Sequence, residues 1–527
     1  MTEHNYREVS CQKATSGEEF VRGVQDFNFS LGAPNVWIPR KSYFKIGIEI
    51  KGKNGAILST ADCTALADDV CGGLYNNAFF RIGGQDVSTI NNYVPQASIL
   101  KNRFGRSNAW LKSIGNSNGF IESDLNKRIA RLASDAPSDV SSRPTILPLA
   151  YGVAVGTALT VAVAAATGIV TGVNTTFQTI LAGNIGAGNA VKNTYLYING
   201  IQCLVRTCTG QDALVIENGG IEFGATPDAY FVINKPYDAD GKNKIDVLWQ
   251  PPLGIFDLMD ENKVENEVLG AGDYRISLNP NSNYKFACLE TTKQGTASAD
   301  PDRIASTALA PGNPGFFDIN ITDVKFYMAY CKMAIEENKV RQLSLAEMMI
   351  LSKPLAGTSN TYEFSVPSST QCLAVFFQSP AQGSNSNYPP SKFVMLKNKQ
   401  NYLSGLQITY GNTTKPSTKW ASKYTTSTNQ LVQRYHDNLS EAGLIFNVGG
   451  AESIQDYLNR GLYILYNFIR DQNDRSTQVQ VSVDFSLLDA GNTELEANAS
   501  VYLCAIYDRQ TEITTANGTV VSVRSQN

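Results

Sequence analysis

A histidine-assisted nucleophile in this chain would have to be built on His436. There are only two histidines, and the other, His4, lies near the N-terminus. Ser-His-Asp and Cys-His systems need a base beside the nucleophile and a third group to orient it. Tyr435 and Asp437 flank His436 without forming such a motif. Cys203 and Cys208 are separated by four residues, and Cys63 and Cys71 by seven, with no Cys-x-x-Cys pair. That spacing, without histidines nearby, does not build a zinc site, so these thiols read as small buried hydrophobes. The run Asp238-Ala239-Asp240-Gly241-Lys242-Asn243 approaches a calcium loop, but its glycine comes two places early, and a hairpin turn is favoured. Gly186-Ala187-Gly188 and Gly270-Ala271-Gly272 lack the rest of a dinucleotide fingerprint. Glycoside hydrolysis needs two carboxylates, and no signature singles out a pair. The expectation is a protein that is not an enzyme, with no catalytic residue, cofactor, metal or small-molecule substrate.

Charge is the next chemical feature, and it is uneven. Lys392, Lys397, Lys399, Lys415, Lys419, Lys423 and Arg434 fall between Phe364 and His436 with no acid among them. Lys101, Arg103, Arg106, Lys112, Lys127, Arg128 and Arg131 face only Glu122 and Asp124. Residues Asp257 to Glu267 reverse the sign, with five acids and one lysine. Such runs are either solvated faces or a basic patch for subunit contact or nucleic acid. For the second reading the candidates are Lys392, Lys397, Lys399, Lys415, Lys419, Lys423, Arg434, Lys101, Arg103 and Arg106. The overall charge of −4 gives no global pull toward nucleic acid.

The elements that would position these residues are mostly strands. At 527 residues the chain is too long for one ordinary domain, and 43% hydrophobic against 17% charged residues suits folded cores. No signal peptide is read in the polar, mixed-charge first 20 residues, and the cysteine count of nine is odd, so reduced thiols are expected. Residues 1–20 read as a flexible arm. Strands are predicted at Phe27–Leu31, Tyr43–Lys51, Ala78–Ile82, Tyr195–Ile198, Tyr230–Asn234 and Lys244–Trp249, the last two joined across Asp240-Gly241. Further strands are predicted at Tyr274–Leu278, Phe317–Met328, Thr361–Val366, Cys372–Gln378, Leu406–Tyr410, Gln478–Phe485, Val501–Tyr507 and Thr519–Val523. Helices are predicted at Pro95–Phe104, Glu336–Leu351 and Ser453–Asn459.

The stretch Pro144–Val191 carries no charge. It is rich in Ala, Gly, Thr and Val and poor in Leu and Phe. A long loop or small-residue strand pair, suited to contact with a partner, is favoured over a membrane span.

One signature is repeated. Phe27-Asn28-Phe29-Ser30-Leu31 is echoed by Tyr274-Arg275-Ile276-Ser277-Leu278, 247 residues later. Pro39, Tyr43 and Glu49 are echoed by Pro280, Tyr284 and Glu290. This spacing suggests one β-domain duplicated and fused. The expected segments are an arm at 1–20, a first domain at 21–253 with an insertion near 134–192, a second at 254–515 and a tail at 516–527.

The fragments also resemble a family. Val36-Trp37-Ile38-Pro39-Arg40-Lys41-Ser42-Tyr43-Phe44, Phe80-Arg81-Ile82-Gly83-Gly84-Gln85-Asp86-Val87 and Asn91-Asn92-Tyr93-Val94-Pro95-Gln96 carry the resemblance in the first half. Trp249-Gln250-Pro251-Pro252-Leu253-Gly254-Ile255-Phe256 carries it at the junction. Val366-Pro367-Ser368-Ser369-Thr370, Leu373–Gln378, Leu406-Gln407-Ile408-Thr409-Tyr410-Gly411 and Arg470-Asp471 carry it in the second half. In this order they are similar to the double jelly-roll major capsid proteins of icosahedral DNA viruses, of the virophage and polinton-like type in the adenovirus-hexon-like group. The resemblance implies an all-β chain of two antiparallel eight-stranded jelly rolls with a few short helices. It implies a homotrimer of pseudo-hexameric outline that tiles a shell around a DNA genome. Its partners would be neighbouring trimers, penton and minor or cement proteins, and non-specifically the genome or an inner membrane. Its place would be the virion, after assembly in a reducing compartment of the host cell. The alternatives are a carbohydrate- or receptor-binding β-sandwich, a β-sandwich glycoside hydrolase, and a minor capsid or vertex protein, the last disfavoured by duplication.

Overall fold

The computed structural model describes residues 4–12, 17–52, 64–66, 69–110, 115, 145–147, 160–164, 168–182, 185, 187–191, 194–198, 201–216, 223–226, 229–233, 244–258, 267–282, 284, 289–291, 317–333, 340–378, 402–421, 424–425, 428–446, 457, 463–468, 476–486 and 500–526. Seventeen strands and two helices carry the main architecture. The first set is β1 (Asn5–Ser10), β2 (Gln25–Leu31), β3 (Tyr43–Gly52), β4 (Tyr75–Ile82), β5 (Gln85–Ile90), α1 (Val94–Gly105), β6 (Lys244–Trp249), β7 (Gly272–Pro280) and β8 (Phe317–Lys332). The second is β9 (Val340–Pro354), β10 (Ser359–Ser365), β11 (Thr370–Gln378), β12 (Tyr402–Tyr410), β13 (Thr413–Trp420), α2 (Gln430–Phe446), β14 (Tyr463–Asn467), β15 (Gln478–Ser486) and β16 (Ser500–Ala516), with β17 (Thr519–Gln526) added at its edge.

The two sets have one topology. The first forms sheets ordered β1-β8-β3-β6 and β2-β7-β4-β5; the second forms β9-β16-β11-β14 and β10-β15-β12-β13. Each strand in the first set has its counterpart eight places later, and a helix follows the fifth strand in both. All these pairings are antiparallel. Two four-stranded sheets wound in this order are a jelly roll, so the chain is a double jelly roll and all-β in class.

The expected duplication is present, but its register differs. Phe27–Leu31 and Tyr274–Leu278 are not copies in separate domains. They are adjacent strands of one sheet, with Phe27 opposite Ile276 and Phe29 opposite Tyr274. They look alike because neighbouring strands facing one core carry the same alternation. The equivalent positions lie 328 residues apart. Pro39 begins a turn that the Ser42 amide closes on the Pro39 carbonyl, and Pro367 begins one that the Thr370 amide closes on the Pro367 carbonyl. Ile82 pairs with Gln85 around Gly83-Gly84, and Tyr410 pairs with Thr413 around Gly411-Asn412. Gly83, Gly84 and Gly411 have φ of 54°, 88° and 58°, the left-handed region that a two-residue hairpin loop requires.

Other boundaries shift accordingly. The first sandwich runs through β8, so the crossover lies between Lys332 and Val340 instead of at residue 253. The arm contains β1, which pairs with β8 from Asn5–Tyr330 to Ser10–Lys325. The tail is β17, which turns back on β16 through Asn517-Gly518, with φ of 52° and 74°. Within the helix expected at Glu336–Leu351, the described residues belong to β9, where Arg341, Leu343, Leu345 and Glu347 alternate inward. The helix at Pro95–Phe104 is α1. Of Ser453–Asn459 only Tyr457 is described, and it is helical.

Between α1 and β6 stands an inserted eight-stranded sheet. Its described strands run from Thr145–Leu147 to Ala229–Ile233, beyond the expected limit of 192. Thr194–Ile198 and Ala229–Ile233 pair with each other inside it. The predicted jelly-roll strands there, and the hairpin linking Tyr230–Asn234 to Lys244–Trp249, are therefore corrected: β6 pairs with β3. Residues 238–243 lie outside the described set. Val161, Val163, Val170, Phe177, Leu181, Leu196, Val205, Leu214 and Phe231 belong to a hydrophobic cluster of the insertion's own, separate from those of the sandwiches. No helix among the described residues is long and apolar enough to cross a membrane.

Candidate functional site

The run Cys372-Leu373-Ala374-Val375-Phe376-Phe377 in β11 is apolar throughout, as expected of a strand covered on both faces. Leu373, Val375 and Phe377 point into the second sandwich with Val501, Leu503 and Ala505. Cys372, Ala374 and Phe376 point the other way, with Tyr463, Leu465, Tyr502, Cys504 and Ile506, into a cluster continuous with the core of the first sandwich. The outer face of the β9-β16-β11-β14 sheet is thus a dry seam between the two jelly rolls. Burying each such large apolar side chain contributes roughly 1.5–3 kcal/mol.

α1 covers this seam from the first sandwich. Val94, Ala97, Ile99, Leu100 and Phe104 are all buried. Phe104 meets Tyr463 at 5.9 Å between ring centres, and Tyr93 meets Tyr502 edge-on at 5.6 Å. Polar bonds fix the register. The Tyr93 and Ser352 hydroxyls lie 2.8 Å apart, and Gln96 Nε2 donates to Gln378 Oε1 at 2.9 Å. Arg509 donates to Thr89 Oγ1 at 3.3 Å and to the Asp86 carbonyl at 3.1 Å.

Glu347 is the buried acid of the seam, with 0% of its surface exposed. The Ser88 hydroxyl and the Gly254 amide donate to it. Its second oxygen, Oε2, is buried without a hydrogen bond. Burial pushes its carboxyl up to about 7, against the opposing pull of Ser88, Arg509 and Lys101. Gly254 is required here. A Cβ on it would lie 2.8 Å from both the Ala346 carbonyl oxygen and Glu347 Oε1.

Two of the fragments singled out from the sequence, Val36–Phe44 and Trp249–Phe256, meet beside the seam. In Trp249–Phe256, Gln250 Nε2 donates to the Arg40 and Ser42 carbonyls at 2.8 Å each. Trp249 stacks on Tyr75 at 5.3 Å. Trp37 Nε1 donates to Ser42 Oγ at 2.9 Å, and that oxygen also accepts the Ala329 amide at 2.9 Å. The aromatic rings of Phe29, Phe80, Tyr274 and Phe326 surround Trp37.

Among the described residues, the basic candidates do not form one exposed patch. Lys101, Arg103 and Arg434 are buried. Lys101 pairs with Asp257 at 2.6 Å, and burial lowers its pKa against the attraction of that acid. Arg106 also reaches Asp257, at 3.3 Å, and lies over Trp110. Arg434 and Asn438 face inward from α2. Arg434 donates to the Leu465 carbonyl at 3.2 Å, while Asn438 donates to the Tyr463 carbonyl and accepts the Leu465 amide. They satisfy the outer edge of β14. Lys415 donates to the Asn467 carbonyl at 2.6 Å, and Lys419 pairs with Asp484 at 2.7 Å. Lys392, Lys397, Lys399 and Lys423 lie outside the described residues. These positions are scattered because Lys101 is held by Asp257 beside the seam, Arg103 is buried on α1, and Arg434 serves a sheet edge.

His436 stands exposed on α2. Cys203 and Cys208 are buried in the inserted sheet, and Cys71 in the first sandwich. Burial raises the Cys504 thiol to about 12 and holds that of Cys372 well above its ordinary range, so both fill space in the seam as neutral groups. Sequence reasoning missed Glu347, Ser88 and Arg509. The available signal was a glutamate at an inward position of the Leu343, Leu345 alternation.

No protein-family model matches the chain, and no curated protein matches it. Among solved structures it is similar to one of the Sputnik virophage, with 12% identity and a TM-score of 0.47 over 100% of this chain and 88% of that one. It is similar to the mavirus major capsid protein, with 11% identity and a TM-score of 0.42 over 99% and 90%. It is also similar to the Faustovirus major capsid protein, with 7% identity and a TM-score of 0.46 over 96% and 90%. The assignment of the fold rests on the strand order within the chain itself.

Proposed function

We propose that this chain is a viral major capsid protein, a structural building block that self-assembles into an icosahedral shell. The observation that carries the reading is the repeated β1-β8-β3-β6 order in β9-β16-β11-β14, with the two sandwiches joined along an apolar seam. Three chains that each present two equivalent sandwiches fill six similar positions around one axis. A doubled jelly roll is therefore the geometry of a homotrimer with a hexagonal outline, the shape that tiles a closed shell.

In this reading neighbouring trimers are the main partners. Penton and minor or cement proteins complete the shell, and a DNA genome or an inner membrane lies within it. The protein resides in the virion after assembly in a reducing compartment of the host cell, where its thiols remain free. Its role lies in interfaces and stability, without a catalytic step. The inserted sheet, with its own core, is a projecting module of the first sandwich. Sedimentation of purified protein, followed by negative-stain imaging, tests the proposal. Trimers that close into shells are expected. A protein that stays monomeric at every concentration and ionic strength refutes it.

A further inference from the structure

Most of the seam is apolar, and at one place it holds an acid. Cys372, Ala374, Phe376, Leu465 and Cys504 share one hydrophobic cluster with the first sandwich. Glu347 enters the same seam from β9 and joins two separate segments of the other sandwich. It accepts from the Ser88 hydroxyl in β5 and from the Gly254 amide in the turn beyond β6. One fully buried carboxyl therefore ties β9 to both.

The charged and titratable groups around this carboxyl each hold other partners. Arg509, from β16, donates to the Asp86 carbonyl and to Thr89 Oγ1. Lys101, from α1, pairs with Asp257, which also receives Arg106. Tyr507 lies opposite Glu347 in β16, and burial pushes its phenol up to about 12, so it stays neutral. Arg509 and Lys101 draw Glu347 toward ionisation, but burial outweighs them. Glu347 Oε2 carries no hydrogen bond. A negative charge on Glu347 thus leaves a bare oxygen in a site closed to solvent, which is strongly unfavourable until water reaches it.

We infer that Glu347 is a proton-operated latch between the two sandwiches: neutral, it holds β9 to β5 and to the Gly254 turn, and charged, it releases them. Water reaches Oε2 when β5 and the turn part from β9. The second sandwich keeps a core of its own through this motion, built on Leu373, Val375, Phe377, Val479 and Val481. The opening is therefore local. Its direction with pH follows from the raised folded-state value of about 7 against an ordinary 4.5. The closed seam holds its proton more tightly than the open one, so the latch is shut in mild acid and loosens as pH rises through 7. It lies within one chain and stands whether or not the chain assembles.

Hydrogen–deuterium exchange of the purified full chain, read by mass spectrometry and corrected for the intrinsic pH dependence of amide exchange, tests the latch. Amides of the turn at 253–258 should open about tenfold more often at pH 8 than at pH 6, the factor by which the proton affinities of closed and open seam diverge over that range. Amides of β15, inside the second sandwich, should not change. In Glu347→Gln the turn should be equally protected at both pH values. Wild-type turn amides that ignore pH overturn the latch, as does loosening of β15 in step with the turn. An equal pH response in Glu347→Gln overturns it as well. Should that variant fail to fold, the wild-type contrast between the turn and β15 decides alone.

Discussion

Replacing Glu347 with glutamine should flatten the pH dependence of stability. The Glu347 carboxyl is pushed up to about 7 in the folded protein, chiefly by burial, from an ordinary 4.5. Between those values the folded state binds the proton more tightly than the unfolded chain does. Stability from this group is therefore fully present below about pH 4.5 and is lost as pH rises through 7. The difference is worth roughly 3 kcal/mol, at about 1.4 kcal/mol for each tenfold change in proton affinity. Glutamine keeps an oxygen to accept from Ser88 and Gly254 but never ionises. At pH 8 the Glu347→Gln variant should be more stable than wild type by up to roughly 3 kcal/mol, and at pH 5 the gap should shrink to about 1 kcal/mol or less. Urea denaturation at fixed protein concentration, followed by tryptophan fluorescence from pH 5 to 8, measures this. Equal pH slopes for the two proteins, or a variant less stable at pH 8, refute the reasoning.

Gly254→Ala should destabilise the protein by about 1–3 kcal/mol, because the new methyl meets the Ala346 backbone oxygen as well as the Glu347 side chain; urea midpoints check it, and an unchanged midpoint contradicts the close approach. Ser42→Ala should remove the acceptor shared by the Trp37 indole and the Ala329 amide, at a cost of about 2–4 kcal/mol in the same assay. Excising residues 145–233 and closing the gap with a short Gly-Ser linker should leave both sandwiches folded, because the insertion has its own hydrophobic cluster. Circular dichroism and limited proteolysis test this, and insoluble or unfolded protein contradicts it.

Strands with one face in water were legible from the sequence. Val479, Val481 and Val483 alternate with Gln480 and Ser482, and β15 lies where they indicate. Elements with other duties hid their pattern. β9 carries the end signals of a helix, with Glu336 and Glu337 before it and Pro354 at its close, while its buried Glu347 interrupts the apolar period of two. α2 was missed because two of its inward positions are Arg434 and Asn438, which face a sheet edge that needs polar partners. The repeat was recognised in the wrong register, since strands that pair across one core resemble each other as closely as duplicated strands do. The Pro39 and Pro367 turns and the glycine hairpins held the true spacing. The seam was only half legible: its dry strand β11 and the Trp249–Phe256 segment stood out, but strand pairing was needed to bring Ser88, Gly254 and Glu347 together across 259 residues of chain.

The most direct measurement is a cryo-electron microscopy reconstruction of the purified assembly. It should show a particle of about 172 kDa, three times the 57.3 kDa chain, in which a rotation of about 60° about the threefold axis carries β1–β8 onto β9–β16. A rotation axis lying elsewhere, or a repeating unit with any other number of chains, whether free or within a shell, contradicts the account.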